Sequence, residues 1–458
     1  MIEGVELRAI IVLFAIAVFV ACIVWAWPRF EGAAPVLSGP ERIELGAAGA
    51  SIELGWEDSG SGLRNASAIL RFGSGEGAQQ EIALHDARFQ GSAFSGPAAA
   101  VGAERKAFDL DAKALGLPDG QATLLLTARD GSWSSFGDGN RSELSIPVIV
   151  DTKPPRVSIA SGLTYVRRGG AAAVEFRVSA DADRSGVRVG EAWFSGFETS
   201  DDTRIAIFAI PIEAADDPIV EVVAIDAHAN EATARFDVRV QERETVEISI
   251  GLSAGFLERI AEPLGAANEM AGSTPVETFQ RVNTELRAKS EAVIAAAIGA
   301  PSAAQWSGGF EQMRNSKVTS EFAELRHYTN RKQRVSRARH YGFDLASTAR
   351  APIMASNGGT VIFADDNGIY GTLVMIDHGL GITTLYGHLS SLQVAVGDRV
   401  TKGQELGRSG ATGLAGGDHL HFAVLVGRTY ADPVEWWDPK WVREHIESRL
   451  RNEPPLPG

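Results

Sequence analysis

The residues with the greatest capacity for chemistry lie between His340 and His421, an interval that holds five of the chain's nine histidines. Two short patterns there combine residue types that bind metals, at 340–344 (His-Tyr-Gly-Phe-Asp) and 419–421 (His-Leu-His). Two histidines and a carboxylate with an open fourth position are typical of a catalytic zinc site, whereas structural zinc sites are closed by four ligands, usually including cysteine. The single cysteine, Cys22, lies far upstream, so a cysteine-based structural site is excluded.

Two β-strands would bring these residue types together. Side chains alternate between the faces of a strand, so His419 and His421 would share one face, with apolar neighbours on the other. In the first pattern, the same alternation places His340, Gly342 and Asp344 on one face. Gly342 adds no bulk there, so a metal could approach the sheet closely. One face of the sheet would then be core, and the other would carry the chemistry.

The interval resembles the lysostaphin-like, LytM-type zinc metallopeptidases, which cut peptide cross-links in bacterial cell walls. Four motifs of that family occur here in the family's order: H-x-G-x-D at 340–344, Y-x-H-L at 386–389, G-x-x-V-x-x-G-x-x-x-G at 397–407, and H-L-H-F at 419–422. The resemblance covers about residues 305–440 and implies a catalytic domain built on an antiparallel β-sheet.

The resemblance also implies roles for single residues. His340, Asp344 and His421 would bind Zn²⁺, while His388 and His419 would flank the metal-bound water without ligating the metal. Zinc would lower the pKa of that water to about 7 and polarise the scissile carbonyl. An uncoordinated imidazole could then take the water's proton or donate a hydrogen bond to the developing oxyanion.

Two further site residues are predicted. Tyr386 lies two residues before His388, on the same predicted strand face, and is a candidate for stabilising the oxyanion. Arg326 occupies the position of a family arginine near the cleft, so the resemblance makes it a candidate substrate-binding residue. The chain departs from the family at 413–418, where many members have Thr-Gly-Pro, and at Ala423, where Glu is frequent. Both departures lie beside the site and bear on substrate preference.

An uncharged apolar run at 9–27 indicates a membrane span. As a helix it would be about 29 Å long, which matches a bilayer core of about 30 Å. Trp25 and Trp27 fit the interfacial aromatic belt, and Pro28-Arg29 would end the helix. The alternative is a cleaved signal peptide, but the run is long for one and no Ala-x-Ala-like site follows. We therefore predict a single-pass inner-membrane anchor within residues 1–32, with the catalytic domain in the periplasm, where its substrate lies.

Short alternating apolar runs separated by Gly, Asp, Asn and Ser follow the apolar run and indicate immunoglobulin-like β-sandwiches. Two units are predicted, at 33–150 and 151–245, because the pattern of strand, Asp, turn and strand at 122–150 recurs at 219–240. Neither unit shows a ligand cluster in its sequence. A spacer or docking role is therefore preferred to carbohydrate binding.

A helical linker is predicted at 246–304. Thr274 would be the N-cap of a helix, with Pro275 at its first position and Glu277 completing a capping box. Apolar residues then recur at helical spacing. This amphipathic helix could pack on the catalytic domain at 305–440 or bind a partner, and packing is preferred. A short closing helix and a Pro-rich tail are predicted at 441–458.

The overall composition narrows the choice of partners. The net charge is −15 and the pI about 5.2, which argues against nucleic acid. The sequence thus predicts a mainly β, membrane-anchored, zinc-dependent peptidoglycan endopeptidase, acting on stem peptides or cross-links. An envelope protein could bind the sandwich units or the helical linker. The alternative function is a non-enzymatic LytM-like factor that activates another cell-wall hydrolase, although no ligand is missing here.

Overall fold

The computed structural model describes the backbone over six stretches of the chain: 3–27, 30–73, 79–89, 101–134, 138–199 and 202–449. Side chains are described from Ile11 onward. Strands account for 45% of the residues and helices for 18%, so the prediction of a mainly β protein is confirmed. The chain divides into two compact units, the first made of 1–154 and 227–230, the second of 155–226 and 231–458.

Helix α1 (Glu3–Ala26) contains the apolar run that predicts the membrane span. Its large apolar side chains from Ile11 to Trp25 are exposed. Within the described stretches, no helix is both long enough and apolar enough to cross a membrane, and the predicted span is therefore not confirmed. The predicted helix stop at Pro28-Arg29 lies outside the described residues.

The first unit contains a β-sandwich. A five-stranded sheet has the order β2-β8-β7-β4-β5, and a three-stranded sheet has the order β1-β3-β6. Leu54 and Trp56 from the small sheet pack on Leu70 and Leu124 from the large one. All pairs are antiparallel except β2 with β8. The strands are β1 (Val36–Ser38), β2 (Ile43–Leu45), β3 (Ala50–Glu57), β4 (Leu63–Phe72), β5 (Gln80–Arg88), β6 (Ala103–Leu110), β7 (Gly120–Asp130) and β8 (Arg141–Val150).

The second unit begins with another sandwich. Its two four-stranded sheets have the orders β14-β15-β11-β9 and β13-β12-β16-β17, and β10 pairs in parallel with β18. Phe176 and Phe208 from one sheet share a core with Val187 and Val222 from the other. The strands are β9 (Val157–Ile159), β10 (Thr164–Arg167), β11 (Ala171–Val178), β12 (Ala182–Val189), β13 (Ala192–Ser195), β14 (Phe197–Glu198), β15 (Thr203–Ala209), β16 (Val220–Asp226), β17 (Glu231–Arg235) and β18 (Val238–Gln241).

A helical segment follows strand β19 (Glu247–Gly251). The Thr274 side chain caps its longest helical run by accepting a hydrogen bond from the Glu277 amide, as predicted. The Glu277 carboxylate, however, accepts from the Ser273 amide, one residue before the N-cap. The segment comprises α2 (Ala254–Phe256), a π-helical turn (Leu257–Ala261), α3 (Glu262–Ala267), α4 (Pro275–Arg281), a second π-helical turn (Val282–Leu286) and α5 (Arg287–Ala297).

The remainder of the second unit is built on an eight-stranded antiparallel sheet. Its order is β20-β23-β31-β27-β26-β25-β29, with β32 beside β31, and two three-stranded sheets, β19-β21-β22 and β24-β30-β28, flank it. The strands are β20 (Lys317–Ser320), β21 (Leu325–Asn330), β22 (Gln333–Arg339), β23 (Phe343–Ala346), β24 (Pro352–Met354), β25 (Gly359–Asp366), β26 (Thr372–Gly379), β27 (Ile382–Leu389), β28 (Ser391–Leu392), β29 (Arg399–Val400), β30 (Glu405–Arg408), β31 (Leu420–Val426) and β32 (Thr429–Ala431).

Short helical turns complete the unit. A 3₁₀ turn connects β25 to β26, and a helical end follows β32. Val442 and Ile446 in that end are buried, whereas Leu450 and the Pro-rich tail lie outside the described residues. These elements are the 3₁₀ turn Gly368–Tyr370, α6 (Pro433–Trp437), α7 (Pro439–Trp441), the π-helical turn Val442–Ile446 and the 3₁₀ turn Glu447–Arg449.

Strands β27 and β31 are buried along their whole length, on both faces. One face joins the core that contains Phe422 and Val424. The other face presents Leu385 and Leu425 to the helical segment. The prediction that one face is core and the other carries the chemistry is therefore wrong for these strands. The preferred packing of the amphipathic helix on this domain is confirmed, and the candidate site is confined to the strand ends.

Candidate functional site

The three predicted metal ligands come from adjacent elements. His340 directly follows β22, and Asp344 lies on β23. Strand β23 pairs with β31 so that Asp344 stands directly opposite His421. The register of one antiparallel pair thus brings together two residues that are far apart in the sequence.

The three side chains meet at one point. Asp344 Oδ1 lies 3.0 Å from His340 Nε2 and 2.9 Å from His421 Nδ1, and the two imidazole nitrogens are 3.0 Å apart. Burial acts to raise the pKa of Asp344, but the neighbouring imidazoles of His340, His419 and His421 outweigh it, so the pKa lies well below its ordinary value. These three groups could hold a metal ion.

The protonation of His340 supports this arrangement. His340 Nδ1 lies 2.8 Å from the carbonyl oxygen of Glu321, which can only accept a hydrogen bond. Nδ1 therefore carries a proton, and in the neutral ring Nε2 is the nitrogen with a lone pair for a metal. A neutral imidazole fixed in this tautomer is the form that binds a metal.

Gly342 makes room for a ligand side chain. A Cβ atom on Gly342 would lie 2.8 Å from His421 Cε1, 2.9 Å from His421 Nε2 and 2.5 Å from the Phe422 carbonyl oxygen. The space was predicted to admit a metal, but the His421 imidazole occupies it. His421 Nε2 is buried there without a partner among the described residues, which leaves Nδ1 as the nitrogen that faces the cluster.

Arg326 contacts the cluster and not open solvent. Its Nη2 atom donates to the second oxygen of Asp344, Oδ2, at 2.8 Å, and to the Ser320 hydroxyl at 2.6 Å. Burial acts to lower the pKa of Arg326, but Asp344 more than compensates, so the pKa is raised. The structure therefore brings Arg326 to the site as a neighbour of Asp344, one of the candidate metal ligands.

Two further histidines stand beside the cluster. The ring centroids of His388 and His419 are 4.8 Å apart, and His419 Nε2 lies 3.6 Å from Asp344 Oδ1. Each Nδ1 lies 2.8 Å from a carbonyl oxygen, that of Thr412 for His388 and that of Gly417 for His419. Both rings are thus oriented with Nε2 available for proton transfer.

The pKa values of these two histidines are shifted in opposite directions. Burial, together with His419 and His421, lowers the pKa of His388 to about 3. Burial also acts to lower the pKa of His419, but the Asp344 carboxylate outweighs it, so that pKa is raised. His388 is held neutral, while protonation of His419 is favoured.

Tyr386 is not brought to the cluster. Strand alternation predicts that it shares a face with His388, but two residues of β27 stand opposite one residue of β26 at this point, and His388 has a φ of +64°. This bulge turns His388 to the opposite face. The Tyr386 hydroxyl is buried in the core, where it accepts hydrogen bonds from the Ser356 amide at 2.8 Å and the Thr384 hydroxyl at 2.9 Å.

Three residues that the sequence analysis missed line the site. Tyr370 places its ring 5.4 Å from that of His421, and its hydroxyl donates to Glu291 at 2.6 Å. Arg287 from α5 and Tyr328 from β21 also line the cavity around the cluster, which has a volume of about 140 Å³. No motif marks these residues, because their elements reach the site only through tertiary packing. A larger cavity of about 1210 Å³ in the same unit contains none of the predicted site residues.

Comparisons with known proteins find similarity in this part of the chain. Residues 338–433 match the model of Peptidase family M23. The DD-carboxypeptidase/endopeptidase Mpg of Neisseria meningitidis is 35% identical over 132 residues, 28% of this chain and 30% of that protein. Peptidoglycan DD-endopeptidase ShyA of Vibrio cholerae is 38% identical over 89 residues, 19% of this chain and 21% of that protein.

A solved structure matches the same region. The catalytic domain of lysostaphin from Staphylococcus simulans is 28% identical, with a TM-score of 0.25, and the match covers 29% of this chain and 98% of that one. The chain spans less than a third of the length of the two curated relatives. The part of the chain that is similar to Peptidase family M23, residues 338–433, contains the cluster and both flanking histidines.

Proposed function

We propose that this protein is a zinc-dependent peptidoglycan endopeptidase that hydrolyses peptide bonds in stem peptides or cross-links. The observation that carries the proposal is the convergence of His340 Nε2, Asp344 Oδ1 and His421 Nδ1 beside two further imidazoles. The relatives named DD-endopeptidases favour the D-alanyl cross-link as the bond that is cut.

The donor set fits zinc. Two imidazole nitrogens and one carboxylate oxygen are ligands of catalytic zinc sites, which keep a further position open. Zinc, when bound, acts as a Lewis acid that acidifies water and polarises a carbonyl. Arg326 would orient the ligand Asp344 by holding its second oxygen, in the way that outer hydrogen-bond partners orient metal ligands.

His388 and His419 would have different roles, the first as a proton acceptor and the second as a hydrogen-bond donor. His388 is neutral and oriented by the Thr412 carbonyl, so its Nε2 can accept the proton of an attacking water. His419 lies next to Asp344, which favours its protonated form. It can therefore donate a hydrogen bond to the oxyanion that develops on the scissile carbonyl.

The cellular location is a proposal from the sequence. The apolar run at 9–27 would anchor the chain in the inner membrane, with the domain in the periplasm beside its substrate. Extraction of membranes with carbonate, and protease treatment of intact spheroplasts, test this. Release of the chain by carbonate, or its protection from protease in spheroplasts, would refute the location without touching the enzymatic proposal.

Metal analysis paired with digestion of purified sacculi tests the function. We expect the full chain to bind one zinc ion and release cross-link cleavage products. His340→Ala should neither bind zinc nor release products. His388→Ala should still bind zinc but release products more slowly, by a factor of about 10² or more. His327→Ala, a histidine outside the cluster that pairs with Glu247, is the control and should keep both.

The same experiment distinguishes the proposed endopeptidase from the alternative, a non-enzymatic factor. Zinc binding without any product release from sacculi would argue for a LytM-like factor that activates another hydrolase. The intact donor set does not favour that alternative. Absence of zinc from the wild-type chain would refute the metal proposal itself.

A further inference from the structure

Three carboxylates converge at one end of the sandwich in the first unit, although no cluster was predicted there. Glu31 precedes β1, Asp58 directly follows β3, and Asp130 is the last residue of β7. One oxygen from each lies within 4.8 Å of the others. Asp58 is 5% exposed and Asp130 is fully buried.

Among the described residues, no lysine or arginine pairs with any of these three acids. Burial raises the pKa of Asp58, and the charges of Glu31 and Asp130 add to the rise. Buried carboxylates are costly unless they are paired or coordinate a metal, so the cluster calls for a cation.

Backbone amides hold the carboxylates in place. The Ser61 amide donates to Glu31 Oε1 at 2.6 Å, and the next amide, that of Gly62, donates to Asp58. Asp130 Oδ1 accepts from the Asn140 amide at 2.7 Å, and Oδ2 accepts from the Asn140 side chain at 2.8 Å. These bonds orient the oxygens but carry no compensating charge.

A buried hydroxyl is an independent sign of a ligand. Ser61 is 92% buried, and its Oγ has no hydrogen-bond partner among the described residues. The flanking amides of Ser61 and Gly62 point at two of the carboxylates, and Ser61 Cβ lies 3.9 Å from a Cβ built on Gly131, the residue after Asp130. The Ser61 amide therefore bonds one of the acids and the next amide bonds a second, while the Ser61 Cβ approaches the residue that follows the third. Buried hydroxyls are nearly always bonded, so this one lacks an expected partner.

We propose that Glu31, Asp58, Ser61 and Asp130 bind a Ca²⁺ ion. Calcium takes roughly six to eight oxygen ligands in a flexible geometry, which three carboxylates and a hydroxyl can begin to supply, with water completing the shell. Mg²⁺ demands a near-ideal octahedron, and zinc prefers nitrogen and sulfur ligands. The ion would tie the segment that follows α1 to the ends of β3 and β7, and so stiffen the sandwich where the chain leaves that helix.

Calorimetric titration of Ca²⁺ into the zinc-loaded full chain tests the proposal. We expect one site with a Kd on the order of 10⁻⁴ to 10⁻³ M, as in extracellular calcium modules, and weaker binding of Mg²⁺. Asp130→Asn should weaken Ca²⁺ binding at least about tenfold. The control is Asp111→Asn, an exposed turn carboxylate of the same unit that also accepts two backbone amides, and it should bind as the wild type does.

Two further variants keep the test decisive if Asp130→Asn does not fold. Ser61→Ala should fold normally and weaken Ca²⁺ binding severalfold. Asp58→Asn removes one of three like charges, so its melting temperature without Ca²⁺ should exceed that of the wild type. Adding Ca²⁺ should then no longer raise the melting temperature of this variant. The proposal is overturned if the wild type neither binds Ca²⁺ nor melts higher with it, or if Asp58→Asn and Ser61→Ala respond to Ca²⁺ as the wild type does.

Discussion

The candidate metal site of His340, Asp344 and His421 depends on a residue that has no side chain. Gly342 lies between His340 and Asp344 in the sequence, yet its role is to admit the ring of His421 from the neighbouring strand. Interiors are close-packed, so even one added methyl group must displace something. Here the nearest atoms belong to a backbone carbonyl and to a ligand ring.

We predict that Gly342→Ala damages metal binding. The added Cβ would displace His421, so the chain should lose zinc affinity and about 1–3 kcal/mol of unfolding free energy. Zinc titration and urea denaturation measure the two effects. Gly416→Ala is the matched control, because Gly416 lines the same cavity with no atom within 4 Å of its Cβ position. Equal zinc affinity in the two variants would contradict this account of Gly342.

Arg326 is predicted from the sequence to bind substrate, whereas in the structure it pairs with Asp344. The two roles predict different effects of a substitution. Arg326→Gln should reduce zinc affinity about 10–100-fold, the usual effect of losing an outer hydrogen-bond partner of a metal ligand. Arg334→Gln, on the exposed part of β22, is the control. Unchanged zinc affinity with a raised KM would instead favour direct contact with substrate.

At the scale of elements, the helical segment forms part of the domain core. Val282 and Leu286 are buried against Leu373 and Met375 of the central sheet. Arg287, the next residue, lines the cavity around the candidate metal site. The helix that buries the second face of the sheet therefore also contributes a wall of the site.

We predict that the two sides of this helix respond differently to truncation. Leu286→Ala should lower the free energy of unfolding by about 2–5 kcal/mol, because it leaves a cavity in a packed core. Val293→Ala is the control and should change it by less than about 0.5 kcal/mol, since Val293 is 40% exposed. Chemical denaturation of the full chain measures both, and similar losses for the two variants would contradict the difference in burial between Leu286 and Val293.

At the scale of the whole second unit, a carboxyl group connects its first sandwich to its C-terminal helical end. Glu435 of α6 accepts a hydrogen bond from the Ala171 amide at the start of β11, at 2.8 Å. Burial raises the pKa of Glu435 to about 8, with a smaller contribution from Asp432, while Arg243 and Arg167 oppose the rise. The folded chain therefore binds a proton at Glu435 between about pH 4.5 and 8, and the unfolded chain does not.

We predict a pH-dependent stability that Glu435 controls. Because the folded state holds the extra proton, the free energy of unfolding should fall as pH rises from about 5 to about 8, by at most about 1.4 kcal/mol per pH unit from this group, and then level off. Glu435→Gln keeps the acceptor for Ala171 and should remove that slope. Urea denaturation across this pH range compares it with the exposed control Glu444→Gln. Parallel pH profiles for the wild type and Glu435→Gln would rule out this role.

The sequence by itself determined the residue types of the candidate metal site and the strands that carry Asp344 and His421. Side chains alternate along the strand that contains His421 and its apolar neighbours. The capping residues alone are enough to predict that a helix starts at Thr274. Such signals depend on residues close together in the chain, so they can be read without the fold. The mainly β character follows from the same short-range patterns.

Only the tertiary structure decided which residues surround those ligands. A bulge at His388 sends Tyr386 into the core, and packing brings Tyr370 to the site instead. A contact between strands of two different sheets brings Arg326 to Asp344. Likewise, the acids of the first unit meet from the region before β1 and from the ends of β3 and β7. Each of these contacts joins segments distant in sequence, and their proximity is set by sheet register and core packing, which no local pattern records.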